Sequence, residues 1–154
     1  MKKILTIVSI FISVIFFSQE KKFQPIYYID YQYAGKNQLK VGNEFLLSNK
    51  NDNILFLGVG YGMLYSEGKI HGISDFHLSY QDQSMLFVRI GGSEKHLYST
   101  AGFSLFNGLD FGFGYSYNYQ KKDINLQGFT FGLTLRISNK NNVYPNLKYI
   151  SSID

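Results

Sequence analysis

The chain has 154 residues, a formal net charge of +4 and no cysteine. This length predicts a single domain, and the absence of cysteine excludes both a disulfide framework and attachment of a lipid to a cysteine. Charged residues make up only 17% of the chain, whereas aromatic residues make up 18%. No row of Lys and Arg interleaves with the aromatic residues, so we do not expect a nucleic-acid-binding surface.

The first residues have the parts of a secretory signal. Lys2 and Lys3 form a positive start, and residues 4–17 are an apolar run that is shorter than the ~20 residues a membrane-spanning helix needs. We therefore predict a cleavable signal peptide over residues 1–19, with cleavage after Ser18 or Gln19. The alternative is an uncleaved membrane anchor.

Strand-like alternation then begins and continues through the first half of the chain. It predicts strands over residues 23–34, 39–48 and 54–65, with turns at 35–37 and 49–52. Asn43 interrupts the otherwise apolar outward row of the second strand. Three glycines on one face of the third strand (Gly58, Gly60 and Gly62) indicate close packing or strong curvature.

The second half of the chain continues the pattern. A turn at residues 66–69 leads to a fourth strand over 70–80, where the outward parity switches from odd to even. A turn at 81–83 precedes a fifth strand over 85–91, and we expect a two-residue turn at Ser93 and Glu94 before the sixth strand. Gly108 is expected in a left-handed turn position. The last two strands end at Tyr119 and Ile137, which makes eight strands of roughly 9–12 residues.

The two faces of the last two strands decide what surrounds the barrel. One parity carries Phe111, Phe113, Phe131 and Leu133, and the other carries Gly, Ser, Thr and Asn. Large apolar groups suit lipid, and small polar groups suit a narrow lumen that is not a pore. We predict an all-β fold, a closed eight-stranded antiparallel up-and-down transmembrane β-barrel over residues 23–138, followed by a periplasmic tail over 139–154. The alternative is one half of a soluble β-sandwich.

The signal, the strand number and the alternation resemble the small eight-stranded outer-membrane barrels of Gram-negative bacteria. These are the outer-membrane protein X type and the barrel half of outer-membrane protein A, and the resemblance covers most of residues 23–138. It implies an outer-membrane location, contact with lipid and lipopolysaccharide, and a monomer. Residues 132–137 are similar to the last-strand signal read by the barrel-assembly machinery, although they end in Ile instead of an aromatic residue and are followed by a tail.

Charged residues on the inward parity are predicted to pair inside the barrel. If 81–83 is a loop, Ser79 opposes Met85, His77 opposes Phe87 and Asp75 opposes Arg89. Closure of the barrel places Arg136 near Asp30. Such pairs satisfy buried charge, or alternatively form a gate or a binding site. The expected lumen ion pairs involve Asp75, Arg89, Asp30, Arg136, Glu44, Lys40 and Asp110.

His77 and Ser79 share a strand face with Asp75, which is the set that outer-membrane lipid A deacylases use for base, nucleophile and orienting acid. Because these side chains are expected to point inward, away from lipid, we expect no enzyme, and a lipid A-modifying hydrolase is the alternative. A further alternative is a secreted soluble barrel that binds an apolar ligand, which requires the aromatic parity to face inward. His71, His77 and His96 lack metal-ligand spacing, so we expect neither a metal nor a cofactor.

Tyrosines are expected to collect at one end of the barrel. Tyr65, Tyr115, Tyr117 and Tyr119 fit a girdle at the membrane–water boundary, where amphipathic rings are favoured. Lys121 and Lys122 follow at the adjacent tip, where they are expected to be solvated or to contact lipopolysaccharide phosphates. The function expected from the sequence is structural, or an interaction at the cell envelope.

Overall fold

The structure, a computed structural model, describes residues 25–50, 53–106, 108–119 and 124–137. Eight antiparallel strands follow one another around a closed barrel, and the last strand pairs with the first. This confirms the predicted closed eight-stranded antiparallel fold. The strands are β1 (Pro25–Ala34), β2 (Asn37–Lys50), β3 (Asn53–Ser66), β4 (Lys69–Gln81), β5 (Leu86–Gly92), β6 (His96–Leu105), β7 (Leu109–Asn118) and β8 (Gly128–Ile137).

The predicted signal peptide (residues 1–19), the predicted tail (139–154) and the tip lysines Lys121 and Lys122 lie outside the described residues. Among the described residues, no helix is both long enough and apolar enough to cross a membrane.

The alternation correctly predicts which side chains face outward from the barrel and which face inward. Phe113 is 55% exposed on the outside of the barrel, while its neighbour Gly112 is buried on the inside. In β8, Phe129 is exposed and Thr134 is buried. Ile70, Phe76 and Leu78 are exposed in β4, so the outward side chains of this strand are at even-numbered positions, as predicted. The alternative of an apolar ligand inside the barrel needs the aromatic parity to face inward, and the structure places it outward.

Three turns differ from their predictions. Gly92 pairs with Leu97, and the Ser93 N–H donates to the His96 carbonyl at 2.8 Å, so the two residues of the β5–β6 turn are Glu94 and Lys95 instead of Ser93 and Glu94. In the β6–β7 turn Phe106 has a positive φ of 52°, whereas Gly108 does not have a positive φ. The β4–β5 loop covers residues 82–85, where the Asp82 carboxylate accepts hydrogen bonds from the N–H groups of Ser84 and Leu86.

This last loop overturns the predicted pairing of β4 with β5. Gln81 pairs with Phe87 and Ser79 pairs with Arg89, so Asp75 does not lie opposite Arg89. The cause is local, because the Asp82 carboxylate holds a wider loop than the turn residues suggest. The register differs by an even number of residues, and therefore every side chain stays on the predicted face.

The barrel interior has three layers. At the end where β1 begins, which we call the terminal end, Ile26, Ile54 and Phe56 form an apolar cluster with Leu46 packed against it. At the opposite end, which we call the cap end, a second cluster contains Leu64 and Ile73. Its other members, Ile124 and Leu126, lie just before β8 and pack against Leu64 and Ile73 at the barrel mouth. Charged and polar side chains fill the space between the two clusters.

Glycines in the wall make room for large side chains in the interior. Tyr28, Gly42, Gly60 and Asp75 are successive neighbours across β1 to β4. A Cβ atom on Gly42 would lie 2.8 Å from Cε1 of Tyr28, and a Cβ atom on Gly60 would collide with the Tyr28 hydroxyl. The Tyr28 ring therefore lies along the wall over two glycines, and its hydroxyl reaches a carboxylate three strands away.

We expect Gly60→Ala to lower the free energy of unfolding by about 1–3 kcal/mol, because the added methyl group displaces Tyr28 and the Val41 carbonyl. Gly132→Ala is the matched control, since no atom lies within 4 Å of a Cβ atom added there. That variant should be neutral or more stable by about 0.4–1 kcal/mol. Denaturant titration of both variants, followed by circular dichroism, measures the difference, and equal midpoints would contradict the packing described here.

Candidate functional site: the ionic network of the lumen

Eight charged or titratable side chains meet in the middle layer of the barrel. We call them the lumen network, and all of them come from inward positions on six of the eight strands. Each is at most 5% exposed, so their charges are neutralised by one another and not by solvent. The members are Asp30, Lys40, Glu44, Asp75, His77, Arg89, Asp110 and Arg136.

Asp75 accepts more hydrogen bonds than a surface carboxylate normally does. Its Oδ1 accepts from Lys40 Nζ at 3.1 Å and from the Tyr98 hydroxyl at 2.8 Å. Its Oδ2 accepts from the Tyr28 hydroxyl at 2.8 Å and lies 2.7 Å from Nδ1 of His77. These groups come from β1, β2, β4 and β6, so one carboxylate ties together both halves of the barrel wall.

Asp30 sits between two cations. Lys40 Nζ lies 3.5 Å from its Oδ2, and Arg89 Nη1 lies 3.2 Å from its Oδ1. Arg89 also donates to Thr134 at 2.6 Å, and the Thr134 hydroxyl in turn donates to Asp30. The guanidinium of Arg89 therefore joins β5 to the seam where β1 meets β8.

Arg136, on β8, binds the two remaining acids of the network, Glu44 and Asp110. Its Nε and Nη2 atoms donate to both oxygens of Glu44, and its Nη1 donates to Asp110. Asp110 also lies 3.2 Å from Nη2 of Arg89, so the two arginines share one acid. Fork-shaped guanidinium groups suit this arrangement because each presents several donors in a fixed plane.

His77 bridges two carboxylates. Its Nδ1 lies 2.7 Å from Asp75, and its Nε2 lies 2.9 Å from Glu44. The imidazole therefore connects β4 to β2 through Glu44 and holds two of the four acids of the lumen network in one place. The network as a whole contains four acids, three permanent cations (Lys40, Arg89 and Arg136) and this histidine.

The structure brings all seven sequence-predicted lumen residues into one cluster, although with different partners. Asp75 was expected to pair with Arg89, and this prediction is wrong because the β4–β5 register differs. Asp75 binds Lys40, and Arg89 binds Asp30 and Asp110. Arg136 was expected near Asp30, but the closing register puts Thr134 opposite Asp30 and directs Arg136 to Glu44 and Asp110.

His77 and Ser79 do not form a nucleophile–base pair. Both ring nitrogens of His77 are engaged by Asp75 and Glu44, so neither is available to take a proton from Ser79. The Ser79 hydroxyl accepts a hydrogen bond from Arg136 at 3.2 Å. Both side chains are at most 3% exposed. The arrangement can neutralise charge and hold strands together, and it offers no nucleophile to a substrate outside the barrel.

Sequence reasoning did not include Tyr28 and Tyr98 in this cluster. Both side chains point into the barrel, on the face where small residues predominate, and both donate a hydrogen bond to Asp75. Tyr98 reaches Asp75 across Gly91, whose added Cβ atom would lie 2.5 Å from the Tyr98 hydroxyl. One feature of the sequence could have identified both tyrosines. Each is a large aromatic residue on an inward, glycine-rich face and lies next to a glycine on the neighbouring strand.

Among the described residues, no group of three or more His, Cys, Asp and Glu side chains has an arrangement that could hold a metal ion. Comparison of the chain with protein-family models, with curated proteins and with solved structures finds no match.

We expect Asp75→Asn to destabilise the barrel by about 3–5 kcal/mol, because it leaves Lys40 and the His77 group without their shared carboxylate in a buried site. Tyr98→Phe removes one hydrogen bond to the same carboxylate and should cost about 1.5–3 kcal/mol. The control is Glu67→Gln in the exposed β3–β4 turn, which should change stability by less than about 0.5 kcal/mol. Denaturant unfolding measures all three, and an Asp75→Asn variant as stable as the control would rule out this role.

Proposed function

We propose that the chain is an integral β-barrel protein of the outer membrane of a Gram-negative bacterium, with a closed polar lumen. One observation carries this proposal: large apolar side chains are exposed around the outside of every strand, while the lumen network is buried inside. A soluble barrel has the opposite arrangement, because water favours polar groups outside and apolar groups in the core. An exposed apolar surface that surrounds a whole protein is typical of contact with lipid.

The outward rows of the strands support this proposal in detail. At least one large apolar or aromatic side chain per strand is 42% exposed or more, and Ile90, Phe103 and Phe129 exceed 60%. The four tyrosines of the expected girdle, Tyr65, Tyr115, Tyr117 and Tyr119, are exposed in the half of the barrel toward the cap end, which suits an aromatic girdle at the membrane–water boundary. We place the cap end at one surface of the membrane for this reason.

The role that we propose is structural, or an interaction at the envelope, and not that of a wide pore. The two apolar clusters and the ion pairs between them fill the lumen, as expected for a barrel of eight strands. We further propose that residues 1–19 direct export, that the barrel-assembly machinery inserts residues 23–138, and that residues 139–154 form a periplasmic tail. Lipid and lipopolysaccharide are then its main neighbours, with no cofactor and no nucleic acid.

The membrane location is tested by fractionation with a matched pair of substitutions. The wild-type chain should remain with membranes after alkaline extraction and should migrate differently on gels with and without heating. Phe113 lies in the middle of the outward row of β7, and Phe113→Arg should destabilise the membrane-inserted barrel by about 2–4 kcal/mol. Phe106→Arg makes the same change in the exposed β6–β7 turn, where the cost should be about 0–1 kcal/mol. A wild-type chain found wholly in the soluble periplasm, or equal behaviour of the two variants, would refute the proposal.

The non-enzymatic role is tested separately on the lipid. We expect lipid A from cells with and without the protein to have the same mass spectrum, because His77 and Ser79 are committed to the lumen network. Cells that produce His77→Gln protein serve as the control for indirect effects of barrel insertion. Loss of an acyl chain that depends on His77 would instead support the hydrolase.

A further inference from the structure

The two arginines of the chain bind their carboxylates through the same edge of the guanidinium group, but only one contact is complete. Nε and Nη2 share this edge, and a carboxylate can bind both of them with its two oxygens. Arg136 makes the complete contact, since its Nε donates to one oxygen of Glu44 and its Nη2 donates to the other at 3.1 Å. Arg89 makes half of it, because only its Nη2 reaches Asp110, where it donates to Oδ2 at 3.2 Å.

The incomplete contact leaves polar atoms without a protein partner. Arg89 Nε and Asp110 Oδ1 are both covered by the barrel, and neither forms a hydrogen bond with any residue that the structure describes. A third such atom is the hydroxyl oxygen of Ser104. Ser104 is the partner of Asp110 in the β6–β7 ladder and both side chains point inward, so they are direct neighbours. A donor, an acceptor and a hydroxyl group that can be either are therefore found in one place.

The chemistry of these three atoms selects what completes their hydrogen bonds. Buried polar groups rarely stay unpaired, because each has lost its hydrogen bonds to bulk water. An anion would be repelled by the Asp110 carboxylate, and a cation would be repelled by Arg89 and Arg136, which both bind Asp110. The molecule is therefore neutral, and it both donates and accepts hydrogen bonds. It is also small, because Ser104, Asp110 and Arg89 are each at most 3% exposed.

We propose that an enclosed water molecule bridges Arg89, Asp110 and Ser104. It accepts from Arg89 Nε, donates one hydrogen to Asp110 Oδ1 and donates the other to the Ser104 hydroxyl oxygen. Three hydrogen bonds are the usual number for a buried water. β6 contributes no member of the lumen network, so this water and the Tyr98 hydroxyl attach that strand to the network. The inference does not depend on the membrane location, because the lumen is buried in either surroundings.

The test uses the two arginines as a site and its internal control. Isotopic labelling of arginine nitrogen gives two Nε–H signals in the nuclear magnetic resonance spectrum of the folded full chain. Contacts through space assign them, because the Arg89 guanidinium lies over the Phe87 ring and that of Arg136 over the Phe56 ring. We expect magnetisation transfer from water to the Nε–H of Arg89, and none above background to that of Arg136, which is bonded to Glu44.

Two substitutions of Ser104 distinguish the water from a signal relayed by the hydroxyl proton. Ser104→Asn carries an amide that can donate to Asp110 and accept from Arg89 in place of the water, so the transfer to Arg89 should be lost. Ser104→Ala removes the exchanging hydroxyl proton and leaves the water its other two partners, so the transfer should persist. The Arg136 signal should be unchanged in both variants.

The absence of transfer to Arg89 in the wild-type chain would overturn the proposal. Loss of the transfer in Ser104→Ala would assign it to the hydroxyl proton, and persistence in Ser104→Asn would place the water elsewhere. Equal transfer to Arg89 and Arg136 would show a lumen that is open to solvent instead of an enclosed molecule. If Ser104→Asn does not fold, the comparison of the two arginines in the wild-type chain and in Ser104→Ala decides the question.

Discussion

The carboxylate of Asp75 is the contact on which the rest of the interior depends. It accepts from two tyrosine hydroxyls and a lysine and meets a histidine, and these side chains belong to four strands. A buried carboxylate is costly unless such donors surround it. All of these donors must therefore lie within hydrogen-bond distance of Asp75, and the glycines of the wall leave room for their side chains. Without Gly42 and Gly60 the Tyr28 ring could not lie flat against β2 and β3 and reach Asp75.

The layering of the interior follows from the same constraint. Ion pairs are strongest where water is excluded, and the apolar clusters at the terminal end and the cap end separate the lumen network from solvent. Within the network His77 contacts both Asp75 and Glu44, and three permanent cations contact the four acids. Such an interior specifies which strands must meet, because a shift in register would leave an arginine or a carboxylate unpaired. A lumen filled by side chains is expected for a barrel of eight strands.

The exterior of the barrel is built from apolar side chains and not from ion pairs. Its large apolar groups offer nothing to water, and this supports the proposed location in a membrane. The inside of the barrel thus accounts for stability and specificity, and the outside carries the evidence about the surroundings of the barrel.

The sequence by itself determined the number of strands, the face on which each side chain lies and the burial of the charged residues. A period of two assigns every residue to one face, and this assignment survives any register shift by an even number. The tertiary structure decided the partners. Asp75 binds Lys40 instead of Arg89 because the Asp82 carboxylate holds a wider β4–β5 loop, and Tyr28 reaches Asp75 only across the glycines of two other strands. Ile124 and Leu126 cover the cap end although they lie outside the eight strands. Contacts of this kind join residues far apart in the chain, and they depend on register and loop geometry, which local patterns do not encode.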